Sequence, residues 1–136
     1  MTNAIPAFGA TLKKGTTAIA EVLDISGPNL SRATIDATHH GSTGGWKEYL
    51  AGVKDGGEVS FTVQYVPTNS THDASTGLLS LLNDTTPSAF SLVFPDSSST
   101  TWTFNGWVTA FHPSAPVEGK LTAAVTIKVT GQPTLA

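Results

Sequence analysis

The chain has no cysteine among its 136 residues, and charged side chains make up only 12% of it. Without thiols it forms no disulfides and offers no thiolate metal ligands, which suits folding in a reducing compartment. Seven Lys and Arg, Arg32 being the sole arginine, stand against ten Asp and Glu, for a net charge of −3. Tight duplex DNA binding needs clustered cations on phosphates, so this balance argues against it. There is no apolar run of about 18 residues, so no membrane-spanning helix and no membrane partner are expected. The opening Met1-Thr2-Asn3-Ala4-Ile5-Pro6 lacks a basic stretch followed by an apolar one and does not read as a signal peptide. At 39% hydrophobic the chain is too apolar for a disordered acidic tail. Its length suits one domain with one core.

A soluble domain usually carries about a quarter charged residues. Here Ser, Thr, Gly and small apolar residues take their place. Strand-rich proteins have this composition, and so do surfaces buried against copies of themselves, since interface centres are depleted in charge.

Residues 1–16, punctuated by Pro6, Gly9 and Gly15, are expected to form an N-terminal arm or edge segment, with a single domain over 17–136. The spacing of Ile19, Leu23 and Ile25 predicts a half-buried strand over 17–25. Ser26-Gly27-Pro28-Asn29 reads as a turn. In the strand expected over 30–38, Ala33, Ile35 and Ala37 share one face, while Arg32, Thr34, Asp36 and Thr38 share the other. Residues 39–57 break the period between His39-His40-Gly41 and Asp55-Gly56-Gly57. They read as a long polar loop holding one aromatic cluster, Trp46-Lys47-Glu48-Tyr49-Leu50. A loop of that length in a small domain is usually functional.

From Glu58 to Val66 the alternation is clear, with Val59, Phe61, Val63 and Tyr65 inward and Glu58, Ser60, Thr62 and Gln64 outward. Asn69–Asp73 supplies helix-start residues, and Leu78, Leu79, Leu81 and Leu82 predict a short helix within 75–84. Strands are expected over 89–94, 101–111 and 120–130. The fold class is therefore mainly β, an antiparallel sandwich or flattened barrel with one short flanking helix.

Enzyme chemistry finds no support. Adjacent strand residues point to opposite faces, so His39 and His40 chelate a metal poorly together. No serine lies in a Gly-x-Ser-x-Gly elbow, and the Gly44-Gly45 and Gly56-Gly57 pairs match no phosphate loop. Asp36 and Glu58 are expected as solvated sheet acids, and no cofactor is expected. Trp102 shares a face with Phe104 and Val108 and reads as core, whereas Trp107 lies on the opposite, Thr-rich face with Thr109 and Phe111. Exposed Trp46 and Trp107 fit either sugar stacking or packing against another subunit.

The order of these elements resembles the tail tube (major tail) proteins of long, non-contractile bacteriophage tails, over roughly residues 17–135. The resemblance rests on the strand pair, the long loop with Trp46, and Val59-Ser60-Phe61-Thr62-Val63-Gln64-Tyr65-Val66-Pro67. It continues through the Leu-rich helix and Phe90-Ser91-Leu92-Val93-Phe94-Pro95-Asp96. The most specific piece is Trp102-Thr103-Phe104-Asn105-Gly106-Trp107-Val108, followed by a closing strand that ends Val129-Thr130-Gly131-Gln132-Pro133.

The resemblance implies a non-enzymatic subunit of a virion tail, assembled in the host bacterial cytoplasm. It implies hexameric rings stacked into a hollow tube, with sheets joined edge to edge around the lumen. The tape-measure protein would fill that lumen, DNA would later pass through it, and tail-tip and tail-terminator proteins would bound the tube. Ring stacking falls to the loop residues Trp46, Lys47, Glu48, Tyr49 and Leu50. Arg32, Thr34, Asp36, Glu58, Ser60, Thr62 and Gln64 are expected to face the lumen, and Trp107 a neighbouring subunit. Six copies at −3 give −18 per ring, a sign that lets DNA slide rather than stick. The alternative is a carbohydrate-binding β-sandwich that uses Trp46 and Trp107 as platforms.

Overall fold

A computed structural model describes residues 2–136. It is mainly β and antiparallel, as the alternation predicts. Nine strands form: β1 (Thr11–Lys14), β2 (Thr17–Ala18), β3 (Val22–Ser26), β4 (Ser31–Asp36), β5 (Tyr49–Asp55), β6 (Glu58–Gln64), β7 (Ser88–Val93), β8 (Thr101–Ser114) and β9 (Thr122–Leu135). One helical turn, α1 (Leu78–Leu81), and a 3-10 turn at Thr43–Gly45 complete it. No helix among the described residues is long and apolar enough to cross a membrane.

Seven strands make one sheet in the order β2-β1-β7-β8-β9-β6-β3, and β4 and β5 form a separate two-stranded arm. The sheet is a curled half-barrel. Its curl follows from chain length: the edge strands β2 and β3 are joined by only Ile19, Ala20 and Glu21. Three linking residues reach roughly 14 Å between the flanking Cα atoms, so the two edges must come near each other. Glu21 turns that corner with φ 56. This corner is why the single strand expected over 17–25 is in fact two.

Alternation puts the core on the concave face. Leu12, Val59, Phe61, Val63, Phe90, Leu92, Phe104, Val108, Ala123, Val125, Ile127 and Val129 are buried there, and Leu78 and Leu81 of α1 join them. Trp102 packs against this cluster, as its spacing predicts. Phe111 does not stay with Trp107. A bulge between Val108 and Ala110 inserts one residue into β8, so Phe111 turns to the core face and meets Tyr65 edge-on, centroids 5.3 Å apart.

Three further expectations are corrected. Residues 1–16 are not only an arm: β1 lies inside the sheet between β2 and β7, with Leu12 fully buried. The helix expected within 75–84 is one turn: Gly77 is extended, with φ −96 and ψ −162, so the helix begins only at Leu78, and the Asp73 carboxylate accepts the N–H groups of Ser75, Thr76 and Gly77 in the loop before it. The loop expected over 39–57 is half strand. Tyr49–Asp55 pairs with β4, and its alternation is hidden by a bulge in which Gly52 and Val53 oppose the single residue Ala33. Gly52 is required there, since a Cβ would sit 2.9 Å from the Ala33 carbonyl oxygen.

Candidate functional site

The arm exposes both of its faces. Every residue of β4 is exposed, including Ala33 and Ile35 on its apolar face, and Tyr49, Leu50 and Val53 of β5 are exposed too. A two-stranded ribbon is marginal unless something packs on it, and in this arm only Gly52 is less than exposed. Cross-strand pairs put Arg32, Thr34, Asp36, Lys54 and Tyr49 on one side and Ile35 with Leu50 on the other. The arm is thus amphipathic and has no apolar neighbour of its own.

Glu48 organises the tip. Its N–H donates to Thr38 Oγ1 at 2.9 Å, its carbonyl accepts from the Ala37 N–H at 2.8 Å, and its carboxylate takes the Ser42 hydroxyl at 2.7 Å, 3.4 Å from His39 Nδ1. Trp46 stands just outside this knot, 78% exposed, its ring lying over Gly44. Of the expected stacking residues, then, Trp46, Lys47 and Glu48 sit at the tip, while Tyr49 and Leu50 begin β5.

The seven residues expected to face a lumen fall into two groups that share no sheet. Glu58, Ser60, Thr62 and Gln64 form one row on β6, away from the core, opposite Lys128, Thr126, Ala124 and Thr122 of β9. Arg32, Thr34 and Asp36 form a second row on the arm. Asp36 pairs with Tyr49, so β4 does not lie beside β6. The hydroxyl and N–H of Thr38 hold the Asp36 carboxylate below the usual carboxylate range. The same physics depresses Asp96 through the Thr100 hydroxyl and N–H, and Asp73 through the N–H of Thr76 first.

The main sheet leaves strand edges open. β7 pairs with β8 only as far as Gly106, and β6 pairs with β9 over Thr122–Lys128. Beyond Gly106, β8 bonds only to β9. No backbone partner reaches the outer edge of Trp107–Ser114 among the described residues. At this level the sheet is four strands wide, β8-β9-β6-β3, with the outer edges of β8 and β3 both unpaired. Trp107 opens the free stretch of β8 on the polar face, half-buried.

Sequence reasoning missed two residues. His72 is fully buried: Val66 N–H donates to its Nδ1 at 3.2 Å, and its Nε2–H donates to the Ala20 carbonyl at 2.7 Å. It ties the corner between β2 and β3 to the segment leading into α1. Nothing in Thr71-His72-Asp73 signals burial. Lys54 was hidden by the bulge that sets its register opposite Arg32.

This architecture is that of tail and injection-system particles. The chain superposes on a chain from the virion of a native gene transfer agent particle with TM-score 0.75 and 18% identity, covering 98% of this chain and 99% of that one. A chain from the tail of an empty gene transfer agent particle, computed with C6 symmetry, gives 0.74, 20% identity and coverages of 98% and 99%. The sheath-tube complex of an extracellular contractile injection system in the extended state gives 0.75, 16% identity, and coverages of 98% and 92%. At these identities the likeness is one of fold. A comparison with curated proteins finds no match. Residues 5–136 match the family described as lambda phage tail tube protein, TTP. The chain belongs to that family, and its role is that of a structural tail tube protein.

Proposed function

We propose that this chain closes into hexameric rings through the open edges of its four-stranded half-sheet, and that the rings stack through the arm into a tail tube. The observation that carries the reading is the pair of unpaired edges, Trp107–Ser114 and Val22–Ser26, on opposite sides of that half-sheet. An exposed edge invites further strand pairing, and closure around an axis removes the hazard. Trp107, at the start of one edge, packs against the adjoining subunit.

The arm carries Trp46, Lys47, Glu48, Tyr49 and Leu50 to the next ring, where its exposed apolar side is covered. The β6 row of Glu58, Ser60, Thr62 and Gln64 faces the lumen, and Arg32, Thr34 and Asp36 continue the wall toward the ring boundary. This lumen encloses the tape-measure protein during assembly in the host cytoplasm and passes DNA during ejection, without binding it specifically. Tail-tip and tail-terminator proteins cap the two ends. The family match favours a long non-contractile tail. Negative-stain microscopy of the purified protein tests the reading, with tubes or sixfold rings expected. A protein that stays monomeric at every concentration, alone or with its tail-tip complex, refutes it.

A further inference from the structure

Arg32, the sole arginine, faces Lys54 directly across the arm. Like charges in that position repel, and neither cation has an ion-pair partner among the described residues, where the ion pairs are His39 with Glu48 and Lys128 with Asp55. The neighbouring Asp55 carboxylate already accepts the Gly57 N–H at 2.9 Å and lies 4.0 Å from Lys128 Nζ. With Leu30, Asp55, Gln132 and Pro133, the two cations line a cleft of about 500 Å³ between the root of the arm and the outer end of β9. The cleft has an apolar side and a charged side of two cations and one carboxylate, Asp55, which also faces Lys128.

At the other end of the molecule the β8–β9 turn carries an exposed carboxylate, Glu118, and an exposed ammonium, Lys120, two residues apart. Ser114 and Thr122 close the ladder, and the turn beyond them carries Val117, fully exposed, next to the exposed and unpartnered carboxylate of Glu118. Asp24, Glu58 and Asp84 also have no hydrogen-bond or ion-pair partner among the described residues, but none of them stands beside a wholly exposed apolar side chain. The turn cannot reach its own cleft. Thr122 and Gln132 are ten residues apart on β9, roughly 33 Å at strand spacing. Complementary patches at opposite ends of one body make head-to-tail contacts that propagate from copy to copy.

We propose that the Arg32–Lys54 cleft receives the Val117–Glu118 turn of a second copy of this chain. The carboxylate lies between guanidinium and ammonium, and Val117 rests on Leu30 and Pro133. This deepens the stacking reading and rests on it. It also neutralises the two cations that would otherwise hold a passing polyanion at each ring boundary.

Because the chain has no cysteine, engineered thiols report this contact without background. Tubes copolymerised from Lys54→Cys and Glu118→Cys chains should yield disulfide-linked dimers under mild oxidation, and tubes of either variant with wild type should not. Glu118→Lys should raise the concentration needed for tubes about tenfold, the size of one interfacial charge pair, and adding Lys54→Glu to the same chain should recover most of that loss. Tubes without the cross-link, or Glu118→Lys tubes at the wild-type concentration, overturn this contact and leave the polymer reading standing. A wild-type chain that forms no polymer overturns both.

Discussion

Trp46 and Phe61 separate assembly from folding. Phe61 is 3% exposed in the middle of β6, while Trp46 is 78% exposed at the arm tip. Truncating Phe61 to Ala removes a core ring and leaves a cavity, at a cost of about 3–5 kcal/mol. That is a large share of the 5–15 kcal/mol typical of a domain, so the subunit should melt far earlier or fail to fold. Trp46→Ala removes a side chain that is mostly exposed in the subunit and lies beside Gly44. Its effect on subunit stability should stay within about 0.5 kcal/mol. On the stacking proposal the same ring becomes a buried aromatic anchor, worth roughly 2 kcal/mol or more. At 1.4 kcal/mol per tenfold, each arm contact then weakens about 30-fold. Thermal melting of the subunit and sedimentation of assembled material, run on the same samples, read the two effects apart. Trp46→Ala that melts like wild type and sediments as tubes at the wild-type concentration would refute the stacking role. Loss of polysaccharide binding instead would favour the sugar-binding alternative.

His72→Phe keeps the ring volume but strands the Val66 N–H and the Ala20 carbonyl, so denaturant midpoints should report a loss of about 2–4 kcal/mol. The depressed carboxylates of Asp73, Asp36 and Asp96 stabilise the fold above the ordinary carboxylate range. That stability should disappear as pH falls through their lower folded values, and an acid titration of unfolding should show Asp73→Asn losing part of the slope. Charge reversal of Glu58 together with Asp36 to Lys should leave tubes intact and slow DNA ejection, and a normal ejection rate would remove both from the lumen wall. Amide exchange should show residues 39–48 fast in the free subunit and slow in tubes, with 49–55 already protected by pairing with β4.

What could be read in the sequence is what burial writes into it. β6 and β9 alternate because one face of each meets the core, so Val59, Phe61 and Val63, and Ala123 through Val129, are visible as a period of two. Of the arm, β4 showed its alternation over 30–38, but β5 left no such trace, since both of its faces are exposed in the subunit and its bulge at Gly52 shifts the phase. Phe111 was misplaced for the same reason, one inserted residue in β8. β1 is four residues long, with Leu12 between Thr11 and the pair Lys13-Lys14, too short for a pattern to stand out. Of the candidate site, Trp46 was legible because an aromatic among glycines and polar residues is conspicuous. The open edges and the Arg32–Lys54 pairing were not, because both depend on strand registers that bulges set.

The four-strand width of the open half-sheet has a metric consequence. On the ring proposal, six such segments joined edge to edge would make a wall of 24 strands. At about 4.8 Å between strands, and a tilt of roughly 40° to the axis, the circumference is about 150 Å and the diameter at the backbone about 48 Å. Inward side chains, taken as half the usual spacing between packed sheets, remove about 5 Å on each side and leave a bore of roughly 38 Å. The row of Glu58, Ser60, Thr62 and Gln64 is made of short and medium side chains, so it narrows the passage little. On that proposal the calibre of the conduit would be set by how early β7 stops along β8, at Gly106. One more strand per copy would widen the bore by about 12 Å, and one fewer would narrow it as much.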